Sequence, residues 1–199
     1  MSTEVVRPQS KQPIPSHAKR VFSGKIFDIY QWEQELFDGT KAIFEKARRK
    51  ADSVGVLPIT DEGKIILTKQ EQPQEEAFIG MIGGRMDPGE SPLDTAKREM
   101  LEESGIEAKK FDLFLAVQPD IKIDWACYTF IAKGLTKSEP TNIEAGEKID
   151  LIEVTFDEYM DIITKPNYRD SEIALFLLAS MKDKKSFEKT KEKFEPLNS

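Results

Sequence analysis

The stretch from Gly84 to Ile106, GRMDPGESPLDTAKREMLEESGI, constrains the fold of this chain more than any other. It predicts a glycine-bounded loop that runs into one short helix. Ser91 can cap that helix with its hydroxyl, Pro92 suits the first turn because it has no N–H to lose, and Gly105 suits the left-handed residue that ends a helix. The sequence therefore predicts a loop, a helix and a second loop in direct succession.

The predicted helix carries an acidic face beside its apolar stripe. At roughly 100° per residue, Glu99, Glu102 and Glu103 fall together on one side. Three carboxylates at this spacing repel one another by roughly 0.2–0.5 kcal/mol per pair, and the helix macrodipole disfavours anions in this half of the helix. A divalent cation would compensate the repulsion, and oxygen ligands select Mg²⁺ or Mn²⁺ over zinc. A solvated acidic face is the alternative, and the helix alone does not decide between them.

The pattern around this helix resembles the signature of the Nudix hydrolases. The matching positions are Gly84, Glu90, Arg98, Glu99, Glu102, Glu103 and Gly105, with Met100 and Ile106 at two aliphatic positions. The resemblance implies a Nudix fold of the α/β (α+β) class, in which a mixed β-sheet is sandwiched between helices. It also implies hydrolysis of the diphosphate bond in a nucleoside diphosphate linked to another moiety.

The resemblance assigns roles to individual residues. Its metal ligands are Glu99, Glu102, Glu103 and the backbone carbonyl of Gly83, and its cofactor is Mg²⁺ or Mn²⁺. The resemblance also makes Glu103 catalytic, with Arg98 orienting the neighbouring carboxylates and Glu90 supporting the loop. Related enzymes carry a general base or extra metal ligand on a later loop. Glu147 fits that spacing best, Glu144 is the reserve, and a plain exposed loop acid is the alternative.

Composition limits the remaining possibilities. A chain of 199 residues with 39 % hydrophobic content predicts one domain with extensions. The formal net charge of −7 argues against a nucleic-acid or membrane-surface partner, since both need a basic face. Cys127 is the single cysteine, so an internal disulfide is excluded. Without a signal-peptide pattern or an apolar run of ~18 residues, we expect a soluble cytoplasmic protein.

Four segments follow from the pattern along the chain. Prolines and polar residues predict a flexible leader, and alternating residues on either side of Asp38-Gly39 predict a β-hairpin extension. The final residues mix charges at helical spacing without a broad apolar face, which predicts a solvated helix or tail. The segments are 1–20 for the leader, 21–50 for the N-terminal hairpin, 51–182 for the Nudix domain and 183–199 for the charged C-terminal helix or tail.

The hairpin narrows the resemblance to the ADP-ribose and nucleotide-sugar pyrophosphatase branch. In that branch a comparable hairpin is exchanged across a homodimer and lines the partner's pocket, so the resemblance implies a homodimer. Trp32 either stacks on a substrate base or packs in the core or an interface. The basic run over residues 46–50 is either a solvated face or a source of diphosphate contacts from Arg48 or Arg49.

The resemblance implies a nucleotide sugar such as ADP-ribose as substrate, with a nucleoside monophosphate and a sugar phosphate as products. The chain departs from the branch pattern at Gln74, where an arginine is usual, and at Gly80 and Ile82, where an acidic residue and a proline are usual. These departures leave the leaving group open. Dinucleotides and nucleoside triphosphates remain alternative substrates. A non-catalytic nucleotide-sensing module is the alternative from another class.

Overall fold

The computed structural model describes residues 5–138 and 148–197. Strands predominate in them, as the alternating and continuous apolar runs predict. The strands are β1 Lys19–Ser23, β2 Phe27–Glu35, β3 Lys41–Arg49, β4 Ser53–Ile59, β5 Ile65–Glu71, β6 Phe78–Gly80, β7 Ile82–Arg85, β8 Ile106–Val117, β9 Ile123–Asp124, β10 Cys127–Lys137 and β11 Lys148–Val154. The helices are α1 Pro92–Ser104, α2 Phe156–Ile162, α3 Ser171–Ser180 and α4 Lys184–Lys191, followed by a 3-10 turn at Glu192–Phe194. Across these described residues, no helix has the length and apolar character needed to span a membrane.

The strands form two sheets. The larger sheet has the order β11-β5-β4-β10-β8, and β6 and β7 add to it by pairing with β5 and β4. Strands β4 and β10 run parallel and their other neighbours run antiparallel, so the sheet is mixed. The smaller sheet has the order β1-β2-β3-β9.

Helices cover both faces of the larger sheet. On one face Met100 of α1 shares a buried cluster with Val56 of β4. On the other face Tyr159 of α2 and Leu177 of α3 share a cluster with Leu57 of β4. Consecutive strand residues point to opposite faces, so a central strand covered on both sides must be apolar throughout. The predicted fold, a mixed sheet sandwiched between helices, is confirmed.

The predicted hairpin is formed by β2 and β3, which pair Trp32 with Phe44. Gly39 closes the turn with a φ of 80°, in the left-handed region that glycine tolerates. The hairpin has neighbours on both sides, because β1 pairs with β2 and β9 pairs with β3. Regular structure begins at Lys19, two residues before the predicted start.

The segment from residue 5 to residue 12, called the N-terminal segment below, differs from the flexible leader predicted by its composition. Lys46 of β3 is only 1 % exposed, and its ammonium donates hydrogen bonds to Ser10 Oγ at 2.5 Å and to the carbonyl oxygen of Gln12 at 2.7 Å. A buried ammonium requires acceptors, and the N-terminal segment provides them. These contacts join residues 34 and 36 positions apart, which a local pattern cannot reveal.

The charged C-terminal segment is also more closely attached than its sequence predicts. Its helix α4 is mostly exposed, but Phe194 in the following 3-10 turn is 3 % exposed. The ring of Phe194 packs edge-on against Phe156 and Phe114, with centroid distances of 5.0 and 5.5 Å. A single aromatic residue beyond the helix thus attaches the segment to the core, without the broad apolar face that a sequence pattern would show.

Candidate active site

Helix α1 begins and ends as its sequence predicts. The hydroxyl of Ser91 accepts the N–H of Asp94 at 3.1 Å, and Pro92 occupies the first turn. Gly105 takes a left-handed φ of 64°, and its N–H donates to the carbonyl oxygen of Leu101 at 2.9 Å. These caps fix where the helix begins and ends, and the packing of Ala96 and Met100 against the sheet sets the direction in which its acidic face points.

Two glycines of β7 let the acidic face approach the sheet closely. Gly83 has a φ of 152°, and a Cβ added to it would lie 2.1 Å from the carbonyl oxygen of Val54. A Cβ added to Gly84 would lie 2.5 Å from Glu99 Oε1. Gly83 is therefore required by the backbone of the neighbouring strand. Gly84 is required by a carboxylate of the site.

Arg98 binds three carboxylates at once. Its Nε and Nη2 donate to the two oxygens of Glu90, both at 2.9 Å, and its Nη1 donates to Glu99 at 2.8 Å and to Glu102 at 3.0 Å. Its Nη2 also donates to the carbonyl oxygen of Arg85 at 3.0 Å. The guanidinium thus holds the helix, the loop and the end of β7 in one arrangement. The orienting role of Arg98 and the loop-supporting role of Glu90 stay predictions, for which these hydrogen bonds supply the geometry.

The fourth carboxylate, that of Glu103, lies against the strand. Its Oε2 accepts the N–H of Gly83 at 3.0 Å. The pKa of Glu99 is raised above its ordinary value, because the effect of burial outweighs the opposing effect of Arg98. One guanidinium faces Glu90, Glu99 and Glu102, and Glu103 adds a further acid, so the cluster carries an excess of negative charge that favours a cation.

The residue types of this cluster suit a hard divalent cation. In the described part of the chain, no three acidic, histidine or cysteine side chains converge on one point at ligand distance. Arg98 and the N–H of Gly83 instead act as donors to these oxygens. The atoms available as metal ligands are carboxylate and carbonyl oxygens, the ligand set that Mg²⁺ and Mn²⁺ prefer. The residues therefore fit such an ion by chemistry and by their excess charge.

We expect the contribution of Glu90 to stability to depend on pH. Hydrogen bonds from Arg98, with further ones from the Asp87 N–H and the Thr95 hydroxyl, lower the pKa of Glu90 from 4.5 to about 2. A lowered carboxyl pKa stabilises the folded protein above pH 4.5, and this stabilisation is lost as the pH falls from 4.5 towards 2. Glu90→Gln should therefore lower the Tm near neutral pH, and the difference from wild type should shrink as the pH falls.

Melting curves followed by circular dichroism measure this difference in Tm. Recorded from about pH 7 down to about pH 3, they begin above the window in which the stabilisation is lost and end inside it. The exposed turn substitution Glu62→Gln serves as the control and should change the Tm little. A Tm difference for Glu90→Gln that stays constant over the whole range would contradict the pairing with Arg98.

The predicted general base lies outside the described residues. Glu147 and its reserve Glu144 both fall in the interval from 139 to 147, immediately before β11. Their roles therefore stay predictions.

Trp32 is buried rather than presented to a cleft. It is 5 % exposed, its ring centroid lies 6.1 Å from that of Phe44, and its Nε1 donates to Gln34 Oε1 at 3.3 Å. This environment favours the packing role that the sequence allowed for Trp32 over stacking on a substrate base.

The two arginines of the basic run line one pocket, called the basic pocket below. Arg48 Nε binds Asp124 at 3.0 Å, and its guanidinium lies 5.0 Å from the ring centroid of Tyr30. Arg49 lies 4.8 Å from the ring centroid of Trp125 and donates to Ser53 Oγ at 3.2 Å. The pocket is a cavity of about 320 Å³ lined by Arg7, Arg48, Arg49, Lys50, Asp52 and Asp124.

Sequence reasoning missed three members of this neighbourhood: Arg7, Asp52 and Trp125. Arg7 lies in the segment expected to be flexible, and no pattern marks it as a pocket residue. Trp125 follows the short strand β9, and its Nε1 donates to the same Ser53 Oγ that accepts from Arg49. No sequence signal links Trp125 to the basic run, because the parallel pairing of β3 with β9 brings the two together in the fold.

The departures from the branch pattern lie before β6, at the end of β6 and at the start of β7. Gln74 has a positive φ of 66° in the loop before β6, and Ile82 is fully buried. A Cβ added to Gly80 would lie 3.1 Å from Asp170 Oδ2, and that oxygen accepts the N–H of Met81 at 2.7 Å. Asp170, at the start of α3, thus brings a carboxylate next to Gly80, the position at which the branch pattern has an acidic residue.

Comparison with known proteins identifies a family and several relatives. The profile of the NUDIX domain matches residues 49–177, well over half of the chain. An ADP-ribose pyrophosphatase of Bacillus subtilis (strain 168) is 32 % identical over 160 residues, which cover 78 % of this chain and 85 % of that protein. A methanol dehydrogenase activator of Bacillus methanolicus is 31 % identical over 161 residues, which cover 79 % of this chain and 86 % of that protein.

More distant relatives show the same fold. The ADP compounds hydrolase NudE of Escherichia coli (strain K12) is 25 % identical over 175 residues, which cover 84 % of this chain and 92 % of that protein. The crystal structure of an ADP compounds hydrolase superposes with a TM-score of 0.70 at 22 % identity, and the match covers 87 % of this chain and 95 % of that one. Nudix hydrolases generally use divalent metal ions. The signature residues, the fold and the domain profile together show that this chain belongs to the Nudix family of hydrolases.

Proposed function

We propose that this enzyme hydrolyses the diphosphate bond of a nucleotide sugar such as ADP-ribose, with Mg²⁺ or Mn²⁺ as cofactor, and releases a nucleoside monophosphate and a sugar phosphate. The observation that carries the proposal is the acidic cluster. Arg98 donates hydrogen bonds to Glu99 and Glu102, and Glu103 accepts the N–H of Gly83. The choice of a nucleotide sugar is supported by the relatives that are named ADP-ribose pyrophosphatase and ADP compounds hydrolase.

The residues of the cluster have distinct tasks in this proposal. Glu99, Glu102, Glu103 and the Gly83 carbonyl hold the metal, and Arg98 keeps the first two carboxylates on the side of the helix that faces β7. Divalent ions bound there would neutralise phosphate oxygens and lower the pKa of a bound water. Arg49 offers the diphosphate a guanidinium that is stacked on Trp125 and makes no ion pair within the described residues.

Glu147 is our proposed general base, with Glu144 as the alternative. In this proposal one of these two acids accepts the proton of the attacking water. If Glu147→Gln leaves the rate of hydrolysis intact, the base is Glu144 or solvent.

The homodimer implied by the hairpin also stays a proposal. The hairpin exposes Phe37 completely at its tip and Ile43 to 65 %, and such apolar side chains favour burial against another chain. Light scattering coupled to size exclusion measures the mass in solution. A monomer at micromolar concentration would contradict the exchanged hairpin.

A substrate panel tests the proposed activity. Wild-type protein with Mg²⁺ would be offered ADP-ribose, other nucleotide sugars, a dinucleotide such as NADH, a nucleoside triphosphate and a dinucleoside polyphosphate, with products separated by ion-exchange chromatography. We expect AMP and ribose 5-phosphate from ADP-ribose at the highest kcat/KM. A preference for the triphosphate would replace the proposed substrate class, and silence across the panel would favour a non-catalytic sensor.

A further inference from the structure

The basic pocket borders the signature loop. The N–H of Met86 donates to the carbonyl oxygen of Asp52 at 3.0 Å, and Arg85 pairs with Ser53 across β7 and β4. The carbonyl oxygen of Arg85 in turn accepts from Arg98 at 3.0 Å. The pairing of β7 with β4 therefore connects the pocket to the guanidinium that holds the acidic cluster.

Arg7 brings a cation of the N-terminal segment into this pocket. Its Nε and Nη2 donate to the two carboxylate oxygens of Asp52 at 2.7 and 2.9 Å, and its Nη1 donates to Asp124 at 3.1 Å. The segment is held in place beside it, because Gln118 Nε2 donates to the carbonyl oxygen of Pro8 at 2.9 Å. Only a guanidinium offers the parallel donors that bridge two carboxylates in this way.

The charges of the pocket depend on this bridge. Its lining holds four cationic side chains and two carboxylates, which gives a formal charge of +2. Without Arg7 that charge would fall to +1, and the carboxylate of Asp52 would lose its guanidinium. An uncompensated Asp52 would attract Arg49, which lines the same pocket, and would repel a phosphate.

We infer that Arg7 is a positioning residue for the substrate: it neutralises Asp52 and Asp124, and so leaves Arg49 available to a phosphate oxygen. The inference rests on the proposed function, because it takes the anion in the basic pocket to be a phosphate group of the nucleotide substrate. It gives the N-terminal segment a part in substrate binding. The segment is then a functional part of the enzyme, although it lies outside the match to the NUDIX domain.

Arg7→Gln should raise the KM for ADP-ribose about tenfold and change kcat less than about twofold, because the lost charge acts on binding more than on the chemical step. Lys11→Gln is the matched control: it removes the same charge from an exposed position in the same segment, and should leave both constants unchanged. The rise in KM should also shrink with added NaCl, since salt screens partly exposed charges.

Combining Arg7→Gln with Asp52→Asn separates charge from structure. The double variant removes one charge of each sign, and the amide oxygen of the asparagine can still accept the Ala126 N–H that Asp52 accepts at 2.9 Å. The KM should return to within about threefold of wild type, since the charge of the pocket is restored. An unchanged KM for Arg7→Gln, an equal rise for Lys11→Gln, or no recovery in the double variant would each overturn the inference.

Binding of ADP, measured by equilibrium dialysis, distinguishes this inference from the proposed function. If the wild-type protein fails to hydrolyse ADP-ribose, but Arg7→Gln weakens ADP binding about tenfold and the double variant restores it, the role of Arg7 stands without the activity. Equal ADP affinities for the wild-type protein and Arg7→Gln overturn it.

Discussion

Replacing Glu103 by Gln is expected to lower kcat by about a hundredfold or more, with little change in the fold. The amide oxygen of glutamine can still accept the Gly83 N–H, which Glu103 accepts at 3.0 Å, so the contact between helix and strand survives. The negative charge does not survive, and a neutral amide is a poor ligand for a hard divalent cation. Steady-state hydrolysis of ADP-ribose measures the loss, and the far-ultraviolet circular dichroism and the Tm check the fold.

The matched control is Glu107→Gln, which removes the same charge from an exposed position of β8, four residues further along the chain. Its kcat should remain within about twofold of wild type, as is usual for surface substitutions away from the site. Wild-type turnover by Glu103→Gln would remove this residue from the metal site. An equal loss in both variants would point to a general effect of charge.

The same added methyl group should lower the stability of the protein at Gly83 and its activity at Gly84. Gly83→Ala places a Cβ 2.1 Å from the carbonyl oxygen of Val54, at a φ of 152°, so β7 must separate from β4. We expect it to lower the free energy of unfolding by about 3 kcal/mol or more. Gly84→Ala places its Cβ 2.5 Å from a carboxylate oxygen of Glu99, a flexible side chain that can move away. We expect a stable fold with at least about a hundredfold lower kcat.

Urea unfolding and steady-state kinetics on the two variants test this contrast. The pair is its own control, because each variant adds one methyl group to adjacent residues of the same strand. A stable and active Gly83→Ala would contradict the close packing of β7 on β4. A fully active Gly84→Ala would show that the position of Glu99 against this strand does not matter for catalysis.

Local chemistry made the signature region predictable. The hydroxyl of Ser91, the ring of Pro92 and the left-handed Gly105 act within a few residues of themselves, and the structure places each as the sequence predicts. The acidic face follows from helical periodicity alone. Three of the carboxylates that Arg98 meets, those of Glu90, Glu99 and Glu102, lie on the same loop and helix as Arg98 itself, and the family pattern includes them.

Contacts between distant segments were not predictable. Arg7 meets Asp124 across 117 positions, and Lys46 meets Ser10 across 36. No periodicity links such residues, and the composition of the N-terminal segment indicates flexibility until a buried ammonium demands its acceptors. The role of Trp32 could not be decided from the sequence for the same reason. Strand alternation shows on which face of the sheet Trp32 lies, but not which residues cover that face. Phe194 attaches the C-terminal segment through one ring, and a single apolar residue does not produce the periodic apolar face by which a packed helix is recognised in a sequence.

The proposed chemistry requires the acids of helix α1 to bind a divalent metal. Isothermal titration of Mg²⁺ into wild-type protein and into Glu103→Gln, each with saturating ADP, tests it most directly. We expect saturable Mg²⁺ uptake by the wild-type protein and at least about tenfold weaker uptake by the variant. Equal uptake by both proteins, or none by either, would contradict it.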